Sequence, residues 1–284
     1  MKKILLLIAA VAMVCAAVSC SEDDEVKRGD GVFTVNTTMV NHIVDLNQDS
    51  AIGIATTRNK LILDTVQHKA SLELHYTDTT AHVIILNDIT ATPKRLGFYE
   101  LTTGATDQLQ SFKGYVDFNE GSMRYTYVTT GGIRVISTIP EVFFLKTENT
   151  IQYDDTTPTT KMENVMYQFN IEPAGMMATV RVMGLVHAKD VKYFNSITAN
   201  SVPFTVTPNG YVFDNDTNVI KTTAIYRAFV DSTGSTFSTT DKYPFNIFKA
   251  NVDLVNDRMS VAILIDSSAY VTATGRTYPD YTGF

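Results

Sequence analysis

From residue 32 onward, apolar and polar residues alternate in short runs. Examples are "VFTVNTT" (32–38), "KASLELHYT" (69–77), "SMRYTYVT" (122–129) and "MATVRVMGL" (177–185). A period of two places successive side chains on opposite faces of a strand. Val, Ile, Thr, Tyr and Phe dominate these runs, as a pleated and half-buried surface favours. Turn-forming stretches punctuate them: "NEG" at 119–121, "TGG" at 130–132 and "PNG" at 208–210. No stretch after residue 20 keeps a helical period for three turns. The pattern predicts an all-β chain of many short antiparallel strands, a signature of sandwiches and barrels.

The alternation also repeats at a longer scale. "KASLEL" (69–74) resembles "MATVRV" (177–182), "VFTVNT" (32–37) resembles "VFFLKT" (142–147), and "NDITA" (87–91) resembles "NSITA" (195–199). "SFKGYVDFNEGSMRYTYV" (111–128) then matches "IFKANVDLVNDRMSVAIL" (247–264) at a larger offset. Alternation alone would not place Phe-Lys-x-x-Val-Asp in both halves. The order predicts two tandem antiparallel β-sandwich-like domains related by internal duplication. They occupy 32–140 and 141–284, and the second carries an insertion within 200–247. In each copy the Asp of Phe-Lys-x-x-Val-Asp (Asp117, Asp253) is expected to open a turn by accepting backbone amides.

The first 31 residues read differently. Lys2 and Lys3 precede an apolar run, Ile4 to Val18, too short to cross a bilayer. Residues 1–19 are thus expected to be a signal peptide and 20–31 a polar, flexible tether. Cleavage after Ser19 would remove both lysines and take the formal charge from −7 to −9. That balance argues against a nucleic-acid partner, since phosphate contacts need a basic face. Cys15 would leave with the signal, so Cys20 would be the mature chain's one thiol. Disulfides, thiolate metals and a cysteine nucleophile in the body are thereby excluded.

Ala17-Val18-Ser19-Cys20 resembles a bacterial lipobox, with Ala17 where Leu is usual. The resemblance implies lipid on Cys20, and multiple acyl chains give a stable membrane anchor. Glu22, Asp23, Asp24 and Glu25 follow at once. This acidic stretch resembles the surface-export signal of Bacteroidetes lipoproteins, and implies display on the outer leaflet of the outer membrane. The whole resembles uncharacterised Bacteroidetes surface lipoproteins, and transfers no catalytic residue.

Candidate chemistry in the body is sparse. Gly-x-Ser-x-Gly, His-Glu-x-x-His and phosphate-binding glycine loops are absent. Asp214, Asp216 and Asn218 in "DNDTN" match the first ligand positions of a calcium loop, though Val219 stands where glycine belongs. His75 would face His82 across a two-residue turn, with Glu73 on the same face as a third candidate zinc ligand. Tyr211, Phe213, Tyr278 and Tyr281 are the aromatics expected to form a ligand surface. No cofactor and no catalytic residue are expected. The expected role is non-catalytic binding or structure at the cell surface, toward a glycan, polymer or protein. An adhesin or envelope-assembly subunit is one alternative, and a carboxylate- or metal-dependent hydrolase is another.

Overall fold

The computed structural model describes residues 31–77, 83–119, 121–139, 141–153, 160–187, 192–228 and 235–277. The chain divides into two compact units between Ile139 and Pro140. Both are all-β and antiparallel. The first unit has eight strands: β1 (Val32–Asp45), β2 (Ser50–Asp64), β3 (Lys69–His75), β4 (Val83–Arg95), β5 (Phe98–Thr103), β6 (Leu109–Asp117), β7 (Ser122–Thr129) and β8 (Ile133–Thr138). Each pairs with the next, and β1 pairs with β8 from Val40↔Thr138 to Asp45↔Ile133. That last pairing closes the sheet into a barrel. The expected sandwich is therefore corrected here: closure leaves one continuous sheet rather than two facing ones.

Period-two alternation points one face of every strand into the barrel. Residues from all eight strands meet there, among them Ile43, Leu63, Leu72, Leu86, Leu101, Phe112, Tyr125 and Val135. An eight-strand barrel is about wide enough for such side chains to fill. Tyr125 and Tyr127 are fully buried, and desolvation raises both phenols far above their ordinary pKa. A polar cluster lies beside this core. Asn41, also fully buried, donates from Nδ2 to the Thr57 hydroxyl and the His75 carbonyl, each at 2.8 Å. Its Oδ1 accepts from Ser137 at 2.5 Å. Each of these bonds answers a desolvated group that would otherwise destabilise the fold.

The second unit contains β9 (Glu141–Gln152), β10 (Thr160–Met162), β11 (Met166–Glu172), β12 (Met177–Met183), β13 (Leu185–His187), β14 (Lys192–Pro203), β15 (Thr205–Thr207), β16 (Gly210–Asn215), β17 (Thr222–Ala228), β18 (Ser235–Thr240), β19 (Phe245–Asp253), β20 (Arg258–Ile265) and β21 (Ala269–Thr277). A short 3₁₀ turn, Pro173–Gly175, joins β11 to β12. The main sheet runs β15-β16-β19-β20-β21-β9-β11-β12-β14-β17-β18, with β10 on β9 and β13 on β14. Phe204 alone separates β14 from β15. One nearly continuous strand thus pairs with β17 along its first part and, as β15, with β16 at its end. At the β15–β16 turn, Gly210 has a φ of +152°, and a Cβ there would lie 2.1 Å from the Val252 carbonyl oxygen. Only glycine fits so close a backbone approach.

Several features occur in both units. The β6–β7 register shifts between Leu109 and Ser111, and the β19–β20 register between Phe245 and Ile247. The β3–β4 register shifts between Ala70 and Leu72, and the β12–β14 register between Ala178 and Val180. At these second shifts the facing strands carry a left-handed residue, Asp88 (φ 58°) and Ser201 (φ 54°). Asp117 accepts the Asn119 amide at 2.9 Å, and Asp253 accepts the Val255 and Asn256 amides at 3.0 and 2.9 Å. Phe112 and Val116, like Phe248 and Val252, are buried together. One sequence match fails at the level of register. "NDITA" and "NSITA" set Asp88 beside Ser196, whereas the left-handed position of β14 is Ser201. The β3–β4 turn also differs from expectation: His75 pairs with Val83, and His82 lies outside the described residues.

Candidate functional site

The expected site residues separate into three groups. Cys20, Glu22, Asp23, Asp24, Glu25, Tyr278 and Tyr281 lie outside the described residues.

Tyr211 and Phe213 are described, and both are corrected: they are core rather than surface. Each is at most 1% exposed. They sit two residues apart on β16, so both point inward. Phe204 packs on them with ring centroids 5.2 Å from Tyr211 and 5.5 Å from Phe213. Phe169 and Phe248 close around Phe213 at 5.3 and 5.7 Å. Burying such rings removes large apolar areas from water, which outweighs any gain from displaying them.

Asp214, Asp216 and Asn218 do not form a metal cradle. The Lys249 ammonium stands 2.9 Å from Asp214 Oδ1 and 2.9 Å from Asp216 Oδ2. It occupies the place a cation would take between the two carboxylates. Its hydrogen bond holds the Asp216 carboxyl below the ordinary value, and both acids raise the Lys249 ammonium in return. Asn218 contributes its backbone carbonyl to Asn215 Nδ2 at 2.8 Å. Glu73 Oε1 likewise meets His75 Nε2 at 2.9 Å. Among the described residues, no group of three His, Cys, Asp or Glu is arranged to hold a metal.

The sequence reading missed a hollow of about 650 Å³ on the second unit. It lies over the outward faces of β19, β20, β21 and β9. Alternation assembles its floor in two cross-strand rows. One row is Asn251↔Ser260↔Thr274↔Glu148, and the next is Asp253↔Arg258↔Arg276. The inward neighbours Val252, Met259 and Ala273 are buried, which fixes the outward set. Arg258 and Arg276 are direct partners on adjacent strands. Like charges directly opposite each other destabilise a sheet. Such a local violation is a mark of functional sites. The Arg258 side chain makes no ion pair or hydrogen bond among the described residues. Asp253, its other cross-strand neighbour, spends Oδ1 on the turn amides and accepts Asn256 Nδ2 on Oδ2 at 2.7 Å. The β21–β9 register shifts between Thr274 and Arg276, beside the hollow. Irregularities of this kind re-aim side chains and are enriched next to sites.

A smaller hollow of about 380 Å³, lined by Met162, Asn164, Val186 and Tyr193, has Glu163 as its one charged side chain. The larger hollow is the candidate site. The described residues lining it offer guanidinium, amide and hydroxyl donors, two carboxylates (Glu148 and Asp253), and no imidazole or thiol. Such a set recognises ligands by hydrogen bonds and charge.

No family model and no curated protein matches the sequence. One solved structure, of isotype 1 transferrin binding protein B from serogroup B Neisseria meningitidis, matches 87% of this chain and 77% of that one. It does so at 7% identity and a TM-score of 0.23, a similarity too small to define a shared fold.

Proposed function

We propose that this protein is a lipid-anchored binding protein of the outer cell surface. Its recognition surface is the outer wall of the second unit. The observation that carries this reading is the hollow over β19–β21, where two arginines face each other on adjacent strands. The first unit's interior is taken up by its own side chains, which favours recognition on the outside of a wall. Anchoring rests on Ala17-Val18-Ser19-Cys20, and outward display on Glu22, Asp23, Asp24 and Glu25.

The two units are read as copies of one strand plan. The recurring register shifts, the left-handed Asp88 and Ser201, and the paired turn aspartates support a duplication. So does a buried asparagine on the first strand of each unit, Asn41 and Asn149. The extra residues of the second copy then fall chiefly in 216–244, where β17 and β18 lie.

Two measurements test the reading. Protease treatment of intact cells should digest the wild-type chain, and Cys20→Ser should release the protein from the membrane fraction. A mature chain carrying Cys20→Ser, applied to immobilised glycans and surface proteins, should be retained by at least one. Protection from protease, or no retention by any ligand, would contradict it.

A second reading, an envelope-assembly subunit, is favoured by β18. That strand ends the sheet, with no partner beyond it among the described residues, and Phe237 on it is 44% exposed. Cross-linking on intact cells that captures a partner through residues 235–240 would favour it.

A further inference from the structure

We propose that the hollow binds the acidic group of an anionic saccharide, a hexuronate carboxylate or a sugar sulfate, between Arg258 and Arg276. The inference rests on the binding reading above and names the ligand class of that site. It begins with the two guanidinium groups. They project from directly paired positions on β20 and β21 into one concavity, in a chain of net charge −7. Each guanidinium carries five N–H donors, so donors remain for an anion lying between the two whatever else either arginine contacts. A guanidinium also presents paired N–H donors that match the two oxygens of a carboxylate or sulfate. Asp253, cross-strand from Arg258, offsets part of this charge, but its oxygens are hydrogen-bonded by the β19–β20 turn, which leaves arginine donors for a ligand.

The remaining lining supports the saccharide. Asn251, Ser260 and Thr274 form the adjoining row, one residue per strand across three strands. Their amide and hydroxyl groups both donate and accept, as sugar hydroxyls require. An acidic peptide would seek an apolar socket for an anchoring side chain. The row next to the arginines offers polar groups instead. The hollow's volume of about 650 Å³ suits a short oligosaccharide.

Glu148 closes the polar row on β9. It is exposed, and its side chain makes no ion pair or hydrogen bond among the described residues. It is an anion at the edge of an anion site and opposes the ligand's charge. Neutralising it should strengthen binding, an effect that a merely structural role for this face would not produce.

The test is calorimetric titration of the mature chain carrying Cys20→Ser with four probes. These are an oligogalacturonate, a sulfated disaccharide, a neutral oligosaccharide of equal length and an oligoglutamate peptide. At least one acidic sugar should bind, and binding should weaken as salt rises. Which of the two binds separates carboxylate from sulfate. Arg258→Gln and Arg276→Gln should each weaken binding by about tenfold or more, as loss of a charge-assisted hydrogen bond implies. Arg258→Lys should retain part of the affinity, and Glu148→Gln should tighten it a few-fold. Thermal melts matching wild type establish that each variant is folded. Equal binding of the neutral sugar, equal binding of the peptide, or indifference to Arg258→Gln would overturn the proposal. Retention of the chain by neutral glycans or proteins, with no acidic sugar bound, would overturn the ligand class alone. Failure with every ligand would overturn the binding reading as well.

Discussion

In the first unit β4 is one strand, pairing with β3 along one edge and with β5 from Thr90 to Arg95 along the other. In the second unit one strand path is split at Phe204 into β14 and β15. Its end still pairs with its hairpin partner, β15 with β16, but its first part takes β17. The unit therefore reads as an open sheet ending in β15 and β18, whereas the first unit's sheet closes. The difference teaches that a strand which changes partner partway along carries its sheet past closure. The β17–β18 hairpin lies between β16 and β19 in the chain, while β19, β20, β21 and β9 pair in succession, as β6, β7, β8 and β1 do in the first unit. The β19–β20–β21–β9 wall carries the arginine hollow. In the first unit Ser122 pairs with Asp117 across the β6–β7 turn, where Arg258 pairs with Asp253 across the β19–β20 turn.

The largest expected effect is in the cores of the two units. Phe213→Ala should cost ~3–5 kcal/mol, because its ring packs against Phe169, Phe204 and Phe248. Leu101→Ala, in the barrel of the first unit, should cost ~2–5 kcal/mol. Denaturant titration checks both. A near-neutral Phe213→Ala would mean that this ring faces a ligand space after all.

A smaller effect is expected at the two buried asparagines. Asn41→Ala strips partners from Thr57, Ser137 and the His75 carbonyl, and should cost ~1–3 kcal/mol. Asn149 accepts from the Tyr167 hydroxyl at 2.9 Å and has a longer contact, 3.5 Å, to the Met162 carbonyl. Asn149→Ala strips a partner from the buried Tyr167 hydroxyl and should also destabilise in the same measurement. Unchanged stability of either variant would contradict the role given to its hydrogen bonds.

The smallest effect is electrostatic. Lys94 first, then Lys113, holds the Glu100 carboxyl below its ordinary value. A carboxylate depressed in the folded state stabilises it above the unfolded pKa, and that contribution disappears as pH falls through the lower folded value. Glu100→Gln should thus lower stability near pH 7 by about 1 kcal/mol or less. Melts compared from pH 7 down to pH 3 should show the gap closing. A gap that widens in acid would reverse the assignment. The ion pairs of Lys249 with Asp214 and Asp216 are exposed, so Lys249→Met should lose salt sensitivity more than stability.

Much of this fold was legible in residue order. The runs at 69–77, 122–129 and 177–185 became β3, β7 and β12 because alternation alone specifies a half-buried strand. Phe-Lys-x-x-Val-Asp marked both β6 and β19, and its Asp opened a turn in each. Closure was not legible. It depends on β1 meeting β8, a pairing between segments far apart in the chain that no local pattern records. The aromatic surface was misread because Tyr211 and Phe213 were expected to be displayed to a ligand. Their spacing of two was itself a strand signal, and it turned both rings inward. The arginine hollow escaped for a related reason. Arg258 and Arg276 are eighteen positions apart, and only the β20–β21 register makes them neighbours. Asn-x-Ile at 41–43 and 149–151 was visible in the sequence, but two shared residues gave no reason to expect a buried asparagine.

Hydrogen–deuterium exchange on the mature chain carrying Cys20→Ser, with and without a saturating acidic oligosaccharide, tests the central claim most directly. Ligand bound in the hollow should slow exchange in 251–260 and 274–276 and leave the first unit unchanged. Slowed exchange on β3, β4 or β7 of the first unit, with none on β19–β21, would contradict recognition on the outer wall of the second.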